Sequence, residues 1–154
     1  TGFTITRFGL AEDKPIHADM DGDGRDDITV FRPSDGNWYW LRSSDGQFVA
    51  AHFGISGDIP VRGDFDGDGK SDITVYRPSV GVWYILHSSD GSFQATRFGL
   101  DGDVPVAGNY DGDGRTDIGL FRPSDGIWYI LRSSDGAFQA IRFGLNGDVP
   151  TIAR

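Results

Sequence analysis

Three short stretches concentrate the groups that could do chemistry. Asp64-Phe65-Asp66-Gly67-Asp68-Gly69-Lys70-Ser71-Asp72 places carboxylates at positions one, three, five and nine of a nine-residue loop. The pattern recurs at Asp19, Asp21, Asp23 and Asp27, and again at Asn109, Asp111, Asp113 and Asp117. So many carboxylates in one short loop repel one another, and a hard cation removes that repulsion. Ca²⁺ accepts about six to eight oxygen donors in irregular geometry. Gly67 and Gly69 let the backbone curl so that alternate side chains converge. The residue at position seven is basic each time: Arg25, Lys70 and Arg115. It is expected to turn its charge outward and to offer its backbone carbonyl as a further ligand. The spacing therefore predicts three Ca²⁺ sites. An ion-free Asp-Gly turn is the alternative, and threefold recurrence of the same acidic spacing argues against it. An EF-hand needs a glutamate at position twelve. Here that position holds Val30, Val75 and Leu120, so these loops are of another kind.

The elements that must carry these loops repeat with them. Phe3, Phe48, Phe93 and Phe138 are evenly spaced, as are Trp38, Trp83 and Trp128, and Asp21, Asp66 and Asp111. The 45-residue period falls among those of propeller blades, which run about 40–50 residues. Read on one repeat, a short strand at 60–63 leads into the acidic loop. An alternating strand follows at 72–77, a turn at 78–81 and a third strand at 82–87. Ser88-Ser89-Asp90-Gly91 turns the chain into a fourth strand at 92–98. Four short strands joined by Gly-containing turns and repeated in tandem predict an all-β chain of four-stranded antiparallel β-propeller-type blades. The expected boundaries are a partial repeat with an outer strand at 1–14, blades at 15–59, 60–104 and 105–148, and the start of a further repeat at 149–154. Strong β-formers dominate the composition, Glu12 is the sole glutamate, and Lys14 and Lys70 are the only lysines.

The resemblance follows from these residues. Phe53-Gly54 and its copies Phe8-Gly9, Phe98-Gly99 and Phe143-Gly144, the Asp-x-Asp-x-Asp-Gly-x-x-Asp loops and the apolar strand after each together resemble the integrin-type FG-GAP repeats, also called VCBS repeats, of calcium-binding β-propellers. The likeness covers nearly the whole chain. It departs from the family where Arg32-Pro33-Ser34, Arg77-Pro78-Ser79 and Arg122-Pro123-Ser124 replace a Gly-Ala-Pro segment. That points to bacterial-type relatives, so integrin ligands are not carried over. The resemblance implies a mostly structural Ca²⁺ between the first two strands of each blade.

Charge and composition narrow the partners. A formal charge of −9 argues against nucleic acid or an anionic membrane. Eleven of the 23 acidic residues occupy ligand positions of the three loops, and three bound Ca²⁺ would add +6 to the formal charge of −9 and leave −3, so the net acidity mostly reflects the candidate sites. There is no cysteine, and no apolar run approaches the roughly 20 residues of a membrane span. No leader peptide is visible, and Thr1 reads as the start of an excerpt or a mature chain. Extracellular Ca²⁺ modules bind at about 10⁻⁴ to 10⁻³ M, which favours a secreted or cell-surface setting.

No enzyme is expected. His17, His52 and His87 each stand where sister repeats mostly carry arginine, which predicts exposed polar strand positions. Ser-Ser-Asp-Gly recurs in every repeat and reads as a turn, not a nucleophile elbow. Trp38, Trp83 and Trp128 with Tyr39, Tyr84 and Tyr129 are expected to pack between blades. Their alternative use is as platforms for stacking glycans, which would make the chain a lectin-like module. Arg32, Arg77 and Arg122 are expected to pair with the recurring Asp13, Asp58, Asp103 and Asp148. Phe3–Gly9 reads as a fourth strand without a blade before it, and Val149–Arg154 as a first strand without a loop after it. Three blades are fewer than the about four to eight of closed propellers. The expected partners are therefore other copies of the chain or adjacent repeats.

Overall fold

The computed structural model describes residues 2–151. Among them there is no helix. Twelve strands form three four-stranded sheets. The first sheet contains β1 (Lys14–Ala18), β2 (Asp27–Arg32), β3 (Asn37–Leu41) and β4 (Phe48–His52). The second contains β5 (Ile59–Val61), β6 (Ile73–Arg77), β7 (Val82–Leu86) and β8 (Phe93–Arg97), and the third β9 (Val104–Pro105), β10 (Ile118–Arg122), β11 (Ile127–Leu131) and β12 (Phe138–Arg142). Each is an antiparallel meander in chain order. The register repeats between units: Phe31 opposes Trp38, Tyr76 opposes Trp83 and Phe121 opposes Trp128.

Period-2 alternation explains both faces of each sheet. Trp83 and Ile85 of β7 point to one side; Tyr84 and Leu86 point to the other. Tyr76, Trp83 and Ile85 pack with Val61 and Phe65 against Ile118 and Leu120 of the third sheet. Ile73 and Val75, on the opposite face, pack against Phe31 and Trp38 of the first sheet. The core therefore consists of two layers, one at each junction between neighbouring sheets.

The Phe-Gly corners seal these junctions. Gly54 sits against the Phe31 ring, and a Cβ there would lie 2.9 Å from it. Phe53 meets Phe93 of the next sheet edge-on at 6.3 Å, and Phe98 meets Phe138 at 6.1 Å. Gly81, with φ of +65°, approaches the Gly99 carbonyl so closely that a Cβ would stand 2.2 Å from the oxygen. No L side chain fits there. The anticipated ion pairs form across the same corners: Arg32 to Asp13, Arg77 to Asp58 and Arg122 to Asp103, each through Nε and Nη2 at 2.7–2.9 Å. Each guanidinium also lies over a tyrosine ring, as Arg77 does over Tyr84 at 4.5 Å. Asp148 accepts from the Leu145 amide at 2.8 Å and has no arginine partner among the described residues.

Two expectations at the ends change. Phe3–Gly9 forms no strand. A fourth strand pairs with a third, and no third strand precedes it in these 154 residues. Its Phe8 nevertheless meets Phe48 at 6.2 Å, as Phe53 meets Phe93, so its corner docks without its strand. Val149 to Thr151 are likewise unpaired, and the rest of the expected strand at 149–154 lies outside the described residues.

Candidate metal loops

Each acidic loop joins the first and second strands of its unit, and all three follow the same plan. The position-one side chain organises the turn. Asp19 Oδ1 accepts from the Gly22 and Asp23 amides at 2.6 and 3.2 Å, and its Oδ2 from the Gly24 amide at 2.8 Å. Asp64 does the same with Gly67, Asp68 and Gly69. Gly67 and Gly69, at φ of +80° and +91°, provide the predicted curl. Asn109 keeps one of these bonds, from the Gly112 amide at 2.7 Å.

The position-nine carboxylate is buried beneath the loop. Asp27, Asp72 and Asp117 are at most 4% exposed. Each accepts one amide from position two of its loop: Met20, Phe65 or Tyr110 at 2.7–2.8 Å. Each accepts a second from the turn between the third and fourth strands: Ser43, Ser88 or Ser133 at 2.6–2.7 Å. Position nine is thus a clamp as well as a candidate ligand, because a carboxylate has about four lone-pair sites.

The serine pairs, read from the sequence only as turn residues, hold the middle of each loop. Ser44, Ser89 and Ser134 donate their hydroxyls to Asp21, Asp66 and Asp111 at 2.6–2.7 Å. Ser43, Ser88 and Ser133 donate theirs to Asp23, Asp68 and Asp113 at 2.8–3.0 Å. Their recurrence in step with the acidic residues was the available signal. The serine hydroxyls are the main reason why the Asp21 and Asp111 carboxyls titrate below the usual range. At Asp66 burial pushes upward, but the Ser89 hydroxyl and the Asp68 amide outweigh it, and the net shift is downward. Asp64 goes the other way: burial raises it, aided by the charges of Asp72 and Asp66, despite its amide bonds.

The loops bring carboxylates together in threes. Asp19, Asp21 and Asp27, then Asp64, Asp66 and Asp68, then Asp111, Asp113 and Asp117 each present oxygens within 4.8 Å of one another. These clusters could hold a metal ion, and their all-oxygen donors suit a hard one. Asp23 lies apart from its trio, held by Ser43 and by Arg25, whose Nη2 is 3.1 Å away. Arg25 and Arg115 therefore do not turn away from the loops as expected; each bends onto the position-five aspartate, with Arg115 Nε 3.8 Å from Asp113. Opposite charge at a surface draws them in. Lys70 and Arg115 also lie along the loop before their own: a Cβ at Gly22 would stand 3.0 Å from Lys70 Cγ, and one at Gly67 3.0 Å from Arg115 Cγ.

Neighbouring loops are also stitched by their backbones. The Ser71 amide donates to the Asp19 carbonyl at 2.7 Å, and the Thr116 amide donates to the Asp64 carbonyl at 2.8 Å. Position eight of one loop thus grips position one of the loop before it.

Other anticipated candidates resolve in the same frame. Trp38 and Trp83 are 1% and 0% exposed, with their indole N–H groups donating to the Phe53 and Phe98 carbonyls. They are core, not platforms for a ligand. His17 and His52 are exposed, as expected. His87 is not: its side chain is 13% exposed and turned toward the second loop. No helix among the described residues is long and apolar enough to cross a membrane.

Comparison with known proteins gives one match. Residues 64–120, from the second acidic loop into the strand after the third, match a family described as FG-GAP-like repeat. That stretch is similar to an FG-GAP-like repeat. No curated protein and no solved structure matches the chain.

Proposed function

We propose that this chain is a calcium-binding repeat module with a structural or adhesive role outside the cell, and that it acts with other copies or further repeats and not as an enzyme. The observation that carries this reading is the stitching of adjacent acidic loops through Asp19 with Ser71 and Asp64 with Thr116. An ion held by the carboxylates of one loop fixes position one of that loop. Position one of the first and second loops in turn anchors the next unit, so an ion in either of these loops stiffens a junction. The all-oxygen donor set suits Ca²⁺, with the position-seven carbonyls of Arg25, Lys70 and Arg115 as further donors. Weak sites of this class fill where Ca²⁺ is abundant, at about 10⁻⁴ to 10⁻³ M, which favours a secreted or cell-surface location.

The three sheets serve as blades of a propeller-type array, with their first strands innermost. Pro15, Ile16, Pro60, Val61, Pro105 and Ala107 line a common depression of about 590 Å³ there. Association is supported by the outer faces. Ile28 is 44% exposed, whereas its counterparts Ile73 and Ile118 are 9% and 5% exposed. Phe143 is 77% exposed. Repeat units bury such faces only against a neighbour, and a head-to-tail contact extends to a ring or a filament.

Calorimetric titration of the chelator-treated chain with Ca²⁺ tests the metal reading, with three equivalents expected. No heat at millimolar Ca²⁺ contradicts it. Light scattering over a concentration series tests assembly. A rise in mass is expected, and a constant monomer mass contradicts it.

A further inference from the structure

The second loop carries a donor that its sisters lack. At the end of the third strand the first and third units have Arg42 and Arg132, both turned to carboxylates. Arg42 Nε lies 3.3 Å from Asp21, and Arg132 pairs with Asp135. The second unit has His87. Its Nδ1 lies 3.7 Å from Asp66 Oδ2 and 3.5 Å from Asp72 Oδ2. Both separations exceed the roughly 2.7–3.2 Å of an N–H···O hydrogen bond. Nδ1 is shut off from solvent and has no hydrogen-bond partner.

The other ring nitrogen fixes the tautomer. Nε2 lies 3.2 Å from Gln94 Oε1, an oxygen that only accepts. Nε2 therefore carries the hydrogen, and in the neutral ring the Nδ1 lone pair is buried facing two carboxylate oxygens. Ser89 and Phe65 each donate to one of these oxygens, but nothing donates between the oxygens and Nδ1, and three electron-rich atoms so placed repel one another unless a cation stands between them. A histidine whose far N–H is held by a carbonyl is the arrangement found at metal-ligating imidazoles.

We infer that Asp66, Asp72 and His87 form a site for one borderline divalent transition metal of the Zn²⁺ class. The three donor atoms lie within 4.8 Å of one another. Metal–nitrogen and metal–oxygen bonds of about 2.0–2.2 Å put neighbouring donors roughly 3.0–3.5 Å apart, so the two separations from Nδ1, 3.7 and 3.5 Å, need only a few tenths of an ångström of closure, and the two carboxylates must approach from within 4.8 Å. Imidazole suits Zn²⁺ and its neighbours, whereas Ca²⁺ takes oxygen. The first and third loops place a guanidinium at the equivalent position, which cannot ligate. Because Asp66 and Asp72 also belong to the second acidic loop, Zn²⁺ and Ca²⁺ compete for it. The inference does not require that Ca²⁺ binds.

Calorimetric titration of the metal-free chain with Zn²⁺ tests this, alongside the visible absorption of added Co²⁺, which reports nitrogen ligation. One tight equivalent is expected. H87R installs the residue of the sister units, so the fold tolerates it. It should weaken that equivalent at least about a hundredfold, since loss of outer-shell partners alone costs about 10–100-fold. The Ca²⁺ titration of the first and third loops should stay unchanged. Zn²⁺ binding of equal strength in H87R, or no Zn²⁺ binding in the parent chain, overturns the assignment. Failure of Ca²⁺ to bind while Zn²⁺ does would instead remove the calcium reading and leave this one standing.

Discussion

The junctions inside the molecule and the faces at its ends are built from the same sequence motifs, yet they differ in burial. At the second junction Trp83 and Ile85 are fully covered by the third sheet, and Arg122 grips Asp103. At the far face of the third sheet Trp128 is only half-buried, and Phe143 is 77% exposed. The local sequence is nearly identical, so the difference comes from the neighbour. A sheet of this repeat buries one face on each side and has no core of its own. The first unit shows the intermediate case. Phe8, Gly9 and Asp13 fill its corner without supplying a sheet, so Val30 is covered and Ile28 is not.

The comparison can be broken most directly at its tryptophans. Trp83→Ala should cost about 3–5 kcal/mol, the usual loss for a large aromatic removed from a core. Trp128→Ala should cost about half of that, because its outer face is uncovered. Denaturant midpoints check both, and equal losses would mean that the end face is covered in solution. The ion pairs extend the test. Arg77→Ala leaves the Asp58 carboxylate, which has no solvent exposure, without its partner. That should cost about 3–5 kcal/mol. Asp148→Asn, at the open end, should stay within about 0.5 kcal/mol.

The loops sharpen the comparison at smaller scale. Asn109→Asp adds a carboxylate to the third loop and should tighten one Ca²⁺ site by about tenfold, since charge count tunes affinity. Calorimetry that finds no site changed contradicts the assignment. The smallest effect concerns pH. Arg32, chiefly through its hydrogen bonds, holds the Asp13 carboxyl below its ordinary value. The unfolded chain therefore binds that proton more readily than the folded one. The stabilisation is present above pH about 4 and fades as pH falls through the lowered value. Asp13→Asn should flatten the acid limb of a stability–pH curve, and an unchanged limb counts against the pair.

Much of this was legible because the repeat supplied three readings of each position. Strand limits on β6, β7 and β8 fall within a residue of those expected, since alternation and Gly-containing turns mark them locally. The Arg–Asp pairs were legible for the same reason. The serine hydroxyls were not, because Ser-Ser-Asp-Gly satisfies the chemistry of a turn and hides its second use across the sheet. His87 was misplaced because its equivalents, Arg42 and Arg132, keep 34% and 28% of their longer side chains exposed while pairing with carboxylates, whereas the short imidazole stays under the loop at 13%. The missing strand at Phe3–Gly9 failed on a long-range condition: its pattern is right, but strand pairing needs a partner that no local reading supplies.

The central claim is that ions in the acidic loops hold the units together. The midpoint of thermal unfolding, measured in millimolar Ca²⁺ and again in EDTA, addresses it most directly. Millimolar Ca²⁺ is about 10 Kd for a site of about 10⁻⁴ M, which stabilises by about 1.4 kcal/mol, equivalent to roughly 3–6 °C per filled site in a chain of this size. A large upward shift with Ca²⁺, reduced in a chain carrying Asp64→Asn, is the predicted result. Identical midpoints in Ca²⁺ and EDTA would contradict it.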